Sequence, residues 1–220
     1  MRIAVMQPYF LPYAGYFRLM LGVDAFVVYD TVQFPRRRWV NRNRLRMDDG
    51  RLGWLTLPLA YAPLRTAITE MRFAQDAQGA WSSRLARFAV FRKPAGDAIP
   101  VVRRAATLSG SLADYLCATL ESVRDQLGLR TPLVRASSLG VSQAGDRGER
   151  LLAICRELGA TEYVNAPGGR SLYAPEQFAR HGVALRFLPE YRGDHASVLQ
   201  RLQDESAVSI RSEIVSNLGE

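Results

Sequence analysis

Cysteine, histidine and lysine are scarce in this 220-residue chain, and each shortage excludes a kind of chemistry. The two cysteines, Cys117 and Cys155, are too few for a disulfide framework. The two histidines lie far from both of them, so no zinc-ligand spacing exists. Phosphate-binding Walker motifs and the Gly-x-Ser-x-Gly nucleophile elbow are also missing from the sequence. We therefore expect no bound metal and no cofactor.

Long apolar runs are missing too. No stretch approaches the roughly 18 apolar residues that a membrane-spanning helix requires. The apolar run over residues 2–6 stops at Gln7-Pro8, which is too short for a secretory signal. A hydrophobic content of 48% with 23% charged residues is ordinary for a globular protein and excludes a wholly disordered chain. We expect a cytoplasmic protein without membrane insertion.

Positive charge is what the sequence has in excess. The formal net charge is +8, and all of the basic residues except Lys93 are arginine. Such an excess favours anionic partners, namely phosphates, nucleotides, RNA or an acidic membrane surface. The arginine bias itself is also typical of a GC-rich genome. Composition therefore predicts an anionic partner without choosing among these classes.

Strand and helix patterns alternate along most of the chain. Residues 2–6 and 25–29 are short apolar runs of strand type, and the helical spacing of residues 13–21 lies between them. Further strands are predicted over residues 132–136, 161–165 and 183–188, separated by helices over residues 148–158 and 175–181. This pattern predicts an α/β fold with an open, mostly parallel, Rossmann-like sheet and helices on both faces.

Two segments interrupt this alternation. Residues 31–75 contain turn signals and weak alternation, which predicts antiparallel strands or loops inserted after the second parallel strand. Residues 78–128 are helical in pattern, and their clearest helix runs over residues 112–127 with Ser111 as its N-cap. We expect one α/β domain over residues 1–220 that carries both segments.

Four loop segments are expected to meet at one edge of the sheet. In open parallel sheets, ligands bind beyond the carboxyl ends of the strands. The segments that follow the first, second, third and fourth parallel strands are residues 7–15, 30–43, 137–147 and 165–173. The sequence therefore predicts that the binding residues come from these loops.

The first loop is held by two prolines, which leave its backbone little freedom to lose on binding. A rigid loop packed by aromatic side chains would have the same sequence.

The second segment has six arginines within residues 35–46, which suit phosphate or carboxylate, and a tryptophan that can stack on a base. A solvated basic strand remains the alternative. The candidate substrate-binding residues are Gln7, Pro8, Tyr9, Pro12, Gly15, Gln33, Arg38, Trp39, Asn41, Arg42, Asn43, Asn165 and Tyr173.

Three residues are candidates for acid–base or catalytic roles. Asp30 stands where the second strand ends and could act as a general base or bind a ribose hydroxyl, although it could equally form a turn or pair with nearby arginines. Tyr16 opens the first helix beside the same loop. His195 follows Asp194, which could orient the imidazole, but a surface turn has the same pattern.

Three stretches of the sequence resemble the WbqC-like family. They are Met-Gln-Pro-Tyr-Phe-Leu-Pro-Tyr-Ala-Gly-Tyr-Phe over residues 6–17, Val-Asp-Ala-Phe-Val-Val-Tyr-Asp-Thr-Val-Gln-Phe over residues 23–34, and Trp-Val-Asn-Arg-Asn over residues 39–43. The resemblance implies work on activated sugars or amino sugars, because such proteins are often encoded among polysaccharide and O-antigen genes. The family usually has an Asp soon after a Ser-Ile pair. Here Ser209-Ile210 leads to Arg211, Ser212 and Glu213, so that role is not carried over.

Three functions remain open from the sequence. The first is a transferase that acts on a nucleotide-activated sugar or amino sugar, with acyl or aminoacyl transfer to an amine and a phosphorylated or nucleotide-linked small molecule as partner. The second is a transferase dependent on aminoacyl-tRNA, or another RNA-binding protein, with tRNA as partner. The third is a non-enzymatic binding or scaffold protein.

Overall fold

A computed structural model describes residues 1–219 of the chain, and within them five strands form one parallel sheet. Two more strands form a separate antiparallel hairpin. The strands are β1 (Arg2–Met6), β2 (Ala25–Val28), β3 (Arg42–Arg46), β4 (Leu52–Thr56), β5 (Leu133–Arg135), β6 (Glu162–Asn165) and β7 (Ala184–Phe187). Their order in the parallel sheet is β5-β2-β1-β6-β7, and the hairpin is β3-β4. The α/β fold with an antiparallel insertion is thereby confirmed.

Helices follow most of the parallel strands and fill the segment between the hairpin and β5. They are α1 (Arg18–Leu21), α2 (Ala77–Leu85), α3 (Ala89–Arg92), α4 (Ala98–Ala106), α5 (Leu112–Gln126), α6 (Arg147–Glu157), α7 (Pro175–Ala179), α8 (Val198–Asp204) and α9 (Ala207–Ser216). Ser111 caps α5, since its hydroxyl accepts a hydrogen bond from the Asp114 amide and the Asp114 carboxylate accepts one from the Ser111 amide.

The sheet is buried on both faces. Alternate residues of β1 point to opposite sides, as strand geometry requires: Ala4 faces one apolar cluster, and Ile3 and Val5 face the other. The cluster around Ala4 includes side chains of the helical segment and of the C-terminal helices, whereas the cluster around Ile3 includes those of α6 and α7. Continuous apolar strands such as β2 are explained by this two-sided burial.

The carboxyl ends of the central strands lie side by side. Met6 is paired with Val28, and Val28 is paired with Arg135 on the next strand. On the other side, Ile3 of β1 is paired with Tyr163 of β6. Because the strands are parallel and in register, the loops that follow β1, β2, β5 and β6 leave the sheet at the same edge.

The inserted segment differs from the sequence pattern at residues 66–73. Their alternation suggests a strand, but the structure has a 3-10 turn, Ile68–Glu70, flanked by single bridges at Ala67 and Phe73. The Glu70 carboxylate accepts a hydrogen bond from the Ala67 amide at 2.7 Å. This local bond satisfies a backbone donor that a strand ladder would otherwise use.

Across residues 1–219, none of the helices combines the length and apolarity needed to span a bilayer.

Candidate functional site

The loop after β1 and the arginine-rich segment before β3 are joined by hydrogen bonds. The Phe10 amide donates to the Trp39 carbonyl at 2.7 Å. The Asn43 side chain donates in return to the Phe10 carbonyl at 3.1 Å and to the Leu11 carbonyl. Leu11 has a left-handed backbone (φ 47°), which is unusual for a residue with a side chain. The side chain of Asn43 thus holds the tip of the first loop against the second segment.

A cavity of about 750 Å³ opens at the carboxyl edge of the sheet. Its wall is built from the segments that follow β1, β2 and β6, together with the first turns of α6. Five of the candidates from the sequence line it: Gln7, Tyr9, Gln33, Asn165 and Tyr173. This position agrees with the rule that open parallel sheets bind ligands beyond their strand ends.

Arginine provides all of the formal charge in the wall of this cavity. Arg36, Arg147 and Arg150 line it, and no aspartate or glutamate within residues 1–219 does. A concave surface with one sign of charge concentrates the electric field and attracts counter-ions. Guanidinium groups also present paired N–H donors that match phosphate and carboxylate oxygens. The geometry therefore suits an anionic ligand.

Tyrosines surround the arginines. Burial raises the pKa of Tyr29 and of Tyr173 above the usual value for a phenol, although the positive charge of Arg150 acts in the opposite direction on both. Burial likewise raises the pKa of Tyr9, with a smaller opposing contribution from Arg38. All three phenols therefore stay protonated at neutral pH and can donate hydrogen bonds to ligand oxygens.

The turn after β6 completes one side of the cavity. Asn165 is buried, and its side-chain oxygen accepts a hydrogen bond from the Ala166 amide at 2.8 Å. A Cβ atom on Gly169 would lie 2.2 Å from Asn165 Nδ2, so the turn packs this closely only because the residue is glycine. Gly168 also lines the cavity and has open space around its Cα.

Asp30 does not line the cavity. Its side chain is fully buried and accepts hydrogen bonds from Arg135 Nε at 2.7 Å, the Ser137 hydroxyl at 2.7 Å and the Ser137 amide at 2.9 Å. These bonds tie the end of β2 to the loop after β5. Both carboxylate oxygens are thus bonded to protein donors away from the cavity wall, and the role of general base stays a prediction.

Tyr16 and Gly15 are also buried behind the loop rather than in the cavity wall. The Tyr16 hydroxyl donates to the Gln7 carbonyl at 2.9 Å, and burial keeps the pKa of this phenol well above its usual range. A Cβ on Gly15 would meet the rings of Tyr13 and Tyr191, so this glycine admits aromatic side chains rather than a ligand.

His195 lies with the same aromatic group. Its ring stacks on Tyr13 with 5.0 Å between the centroids, and it meets Tyr191 edge-on. The Asp194 carboxylate accepts a hydrogen bond from the Ala196 amide, as in a turn. The histidine is therefore outside the cavity wall, as is Tyr16, and the catalytic roles predicted for both stay predictions.

The remaining candidates lie around the cavity rather than in its wall. Trp39 is 44% exposed and packs against Trp54, and the Arg42 guanidinium lies 4.0 Å from the Trp54 ring centroid. Arg38 is exposed near the Tyr9 phenol. The two prolines of the first loop, Pro8 and Pro12, are buried.

Asn41 lines a second, smaller pocket of about 240 Å³. Phe34 and Arg36 line both this pocket and the main cavity, so the two hollows are neighbours. Asn41 is 9% exposed, and its side-chain oxygen accepts no hydrogen bond within residues 1–219.

The three arginines that line the cavity are not among the candidate residues predicted from the sequence. Arg147 and Arg150 stand in the first turn of α6, and only Arg147 falls within a segment expected at the site. The signal that identifies them is their position, because the helix after a parallel strand begins at the carboxyl edge of the sheet. Arg36 belongs to the arginine cluster, from which composition alone cannot choose.

Neither cysteine is a candidate nucleophile in this fold. Burial raises the pKa of Cys117 and of Cys155 to about 12, which leaves almost no thiolate at neutral pH. Within residues 1–219 there is also no group of three or more histidine, cysteine, aspartate or glutamate side chains placed to hold a metal ion.

Comparison with known proteins agrees with the resemblance seen in the sequence. The family model described as the WbqC-like protein family matches residues 7–196. The chain is also 31% identical over 176 residues to the uncharacterized protein Rv1507c of Mycobacterium tuberculosis, an alignment that covers 77% of this chain and 74% of that protein. No solved structure shows significant similarity to the chain. Because the family model spans the loops that follow β1, β2 and β6 and most of the sheet, the chain belongs to the WbqC-like protein family.

Proposed function

We propose that the main cavity binds a phosphorylated or nucleotide-linked small molecule and that the protein is a transferase acting on a nucleotide-activated sugar or amino sugar. One observation carries the proposal, namely a cavity of about 750 Å³ at the sheet edge that is lined by three arginines and by no carboxylate of residues 1–219. A cavity of this size accommodates a drug-sized ligand. The association of such families with polysaccharide genes supports a sugar as the group that carries the phosphate.

Two arginines are placed to hold the phosphate. Arg147 and Arg150 are three residues apart on α6, so their side chains leave the helix on the same face. The Tyr29 and Tyr173 phenols lie near Arg150 and supply neutral donors to the remaining oxygens. The turn at Gly168 leaves space for a ligand to approach the backbone. The nucleotide portion of the ligand then lies between α6 and the turn after β6.

The reaction that suits this wall is direct transfer of an acyl or aminoacyl group from an activated ester or thioester to the amine of the sugar. The C–N bond forms as the bond between the acyl carbon and its leaving group breaks, and the leaving group keeps the electron pair. The proton lost by the amine passes to solvent or to the leaving group. No cysteine, serine or threonine of residues 1–219 lines the cavity, so no covalent acyl-enzyme is part of this scheme.

Binding of uridine diphosphate tests the anion site. We expect calorimetric titration to detect binding to the wild type, and the R147Q and R150Q variants to weaken it at least about tenfold each, because each removes a charged hydrogen-bond partner of the phosphate. The variant R103Q is the matched control, since it removes the same charge from α4, outside the cavity wall. Equal affinity in all four proteins would contradict the proposed site.

A second function is favoured by the exposed face of the hairpin. Trp39 and Trp54 are both nearly half exposed and in contact, and Arg44 lies beside Trp54 on the same hairpin. Arg46 and Arg51 of the hairpin are paired with carboxylates, but Arg44 has no carboxylate partner in residues 1–219. Exposed aromatic rings beside such an arginine suit single-stranded nucleic acid. We propose that the acyl donor is carried by RNA, such as an aminoacyl-tRNA.

Filter binding of bulk tRNA at several salt concentrations tests this second function. We expect retention at low salt and a steep fall of affinity as salt rises. The triple variant R37Q/R38Q/R44Q should flatten the salt dependence by about one unit of slope for each phosphate contact removed. R51Q is the control, because Arg51 is exposed on the same hairpin but is paired with Asp49. No retention of tRNA at low salt would exclude RNA as the carrier.

A further inference from the structure

The small pocket beside the main cavity has a wall of its own. Its wall is part apolar and part polar, the polar part coming from Arg36, Arg37, Asn41 and Tyr61. Phe34 and Arg36 form the boundary with the main cavity. Arg36 donates a hydrogen bond to the Ala62 carbonyl, which fixes the guanidinium at this boundary. The apolar residues of the pocket are Phe34, Leu57, Leu59, Ala60, Ala62 and Met71. A ligand in this pocket therefore has an apolar body and one end next to the main cavity.

Charge in the small pocket comes from arginine alone. Arg36 and Arg37 line it, and no carboxylate of residues 1–219 does. Neither guanidinium has an ion-pair partner within that part of the chain. An ammonium group in the pocket would face two like charges without a counter-ion, which disfavours the charged form of an amine. A carboxylate or an activated carbonyl, in contrast, would find donors at the boundary.

One polar group in the pocket lacks a partner. Asn41 is buried, its side-chain oxygen accepts no hydrogen bond within residues 1–219, and burying an amide oxygen in this state is costly. Its backbone is fixed on both sides: the Asn41 amide donates to the Arg38 carbonyl at 3.2 Å, and the Asn41 carbonyl accepts from Leu57 at 2.9 Å. The oxygen itself is closed to solvent, so a ligand reaches it only when the side-chain amide turns about its last bond, a torsion that is soft.

We propose that the small pocket binds an acyl group of a few carbons that carries an uncharged hydrogen-bond donor. The O–H or N–H of the ligand donates to Asn41 Oδ1, its carbon chain lies against Leu57 and Met71, and its carbonyl end points to Arg36 at the boundary. The identification of this acyl group as the group transferred rests on the proposed transferase function. The class of ligand rests on the pocket alone.

Three small carboxylates with the same carbon chain test the apolar wall, the Asn41 oxygen and the two arginines separately, because they differ only in the group on their third carbon. They are butyrate, 3-hydroxybutyrate and 3-aminobutyrate, titrated at pH 7 while the amide NMR signals of residues 60–62 are followed. We expect 3-hydroxybutyrate to bind about three- to tenfold more tightly than butyrate, the worth of one hydrogen bond. We expect 3-aminobutyrate to bind more weakly than butyrate, because its ammonium group meets Arg36 and Arg37.

Variants of Asn41 test the partner of the hydroxyl group. In N41L the preference for 3-hydroxybutyrate over butyrate should disappear, and in N41D the affinity for 3-aminobutyrate should rise at least about tenfold relative to butyrate, because a carboxylate then faces the ammonium group. Thermal unfolding shows whether each variant is folded. If neither folds, the order of the three ligands on the wild type decides. Equal binding of the three, or shifts absent from residues 60–62, would overturn the proposal.

The same titrations test the acyl pocket and the proposed nucleotide site of the transferase independently of each other. Uridine diphosphate should shift the signals of Gly168 and Gly169 in the main cavity more than those of residues 60 and 61, which line only the small pocket. Ala62 is left out of this comparison, because Arg36, which lines both hollows, donates a hydrogen bond to its carbonyl. Binding of 3-hydroxybutyrate without binding of the nucleotide would contradict the proposed function and leave the acyl pocket in place. The reverse result would remove the acyl pocket alone.

Discussion

The D30N variant should lose about 2–4 kcal/mol of unfolding free energy, although the substitution changes neither the size nor the shape of the side chain. Asp30 is fully buried, and its two oxygens accept three hydrogen bonds from Arg135 and Ser137. In asparagine, one oxygen is replaced by an NH2 group that points its hydrogens at other donors. The guanidinium loses a buried partner, and its remaining carboxylate contact, Asp114, is half exposed.

Chemical denaturation measures this loss, and a fall of roughly 4–16 °C in the melting temperature should accompany it. S137A is the first control, since it removes one of the three hydrogen bonds and should cost about 0.5–1.5 kcal/mol. D114N is the second, because it removes the exposed partner of the same arginine. If D30N were as stable as the wild type but had lost all activity, Asp30 would be a catalytic residue rather than a positioning residue.

The sequence predicts part of the site but not the enclosure of Asp30. The sequence predicts which loops reach the carboxyl edge of the sheet. Continuous apolar runs such as residues 25–28 mark strands covered on both faces, and the loops that follow such strands leave the sheet at that edge. The sequence does not reveal which side of a strand end a polar residue faces. Gln7 and Asp30 follow neighbouring strands, yet Gln7 lines the cavity and Asp30 is enclosed by the loop after β5. That difference arises from tertiary contacts more than 100 positions apart along the chain.

The arginines show a second limit. Residues 36–46 are conspicuous in composition, but exposure and partners decide their roles: Arg36 lines the cavity, whereas Arg42 stacks on Trp54. The arginines of α6 are inconspicuous in sequence and reach the cavity because a helix follows β5. A local hydrogen bond similarly favours a turn at residues 68–70, where the Ala67 amide donates to the Glu70 carboxylate instead of to a neighbouring strand.

The N43A variant should be destabilised by about 2–4 kcal/mol and should also bind uridine diphosphate more weakly. Asn43 is nearly buried and donates to the carbonyls of Phe10 and Leu11, while its oxygen accepts a hydrogen bond from the Arg44 amide at 2.7 Å. Alanine leaves the Phe10 carbonyl without this donor, and an unsatisfied buried carbonyl costs about 1–3 kcal/mol. The left-handed backbone of Leu11 then loses one of the bonds that holds it.

Ser197 offers a matched control for the same loop. Its hydroxyl donates to the Leu11 carbonyl at 2.8 Å, so S197A removes one donor from an oxygen that Asn43 still satisfies. We expect S197A to cost about 0.5–1.5 kcal/mol and to leave nucleotide affinity unchanged. N43A, in contrast, releases the loop that carries Gln7 and Tyr9 into the cavity wall. If nucleotide binding survived N43A at full strength in a folded protein, the geometry of the cavity would not depend on the junction between the two segments. The first loop would then reach its position through the sheet alone.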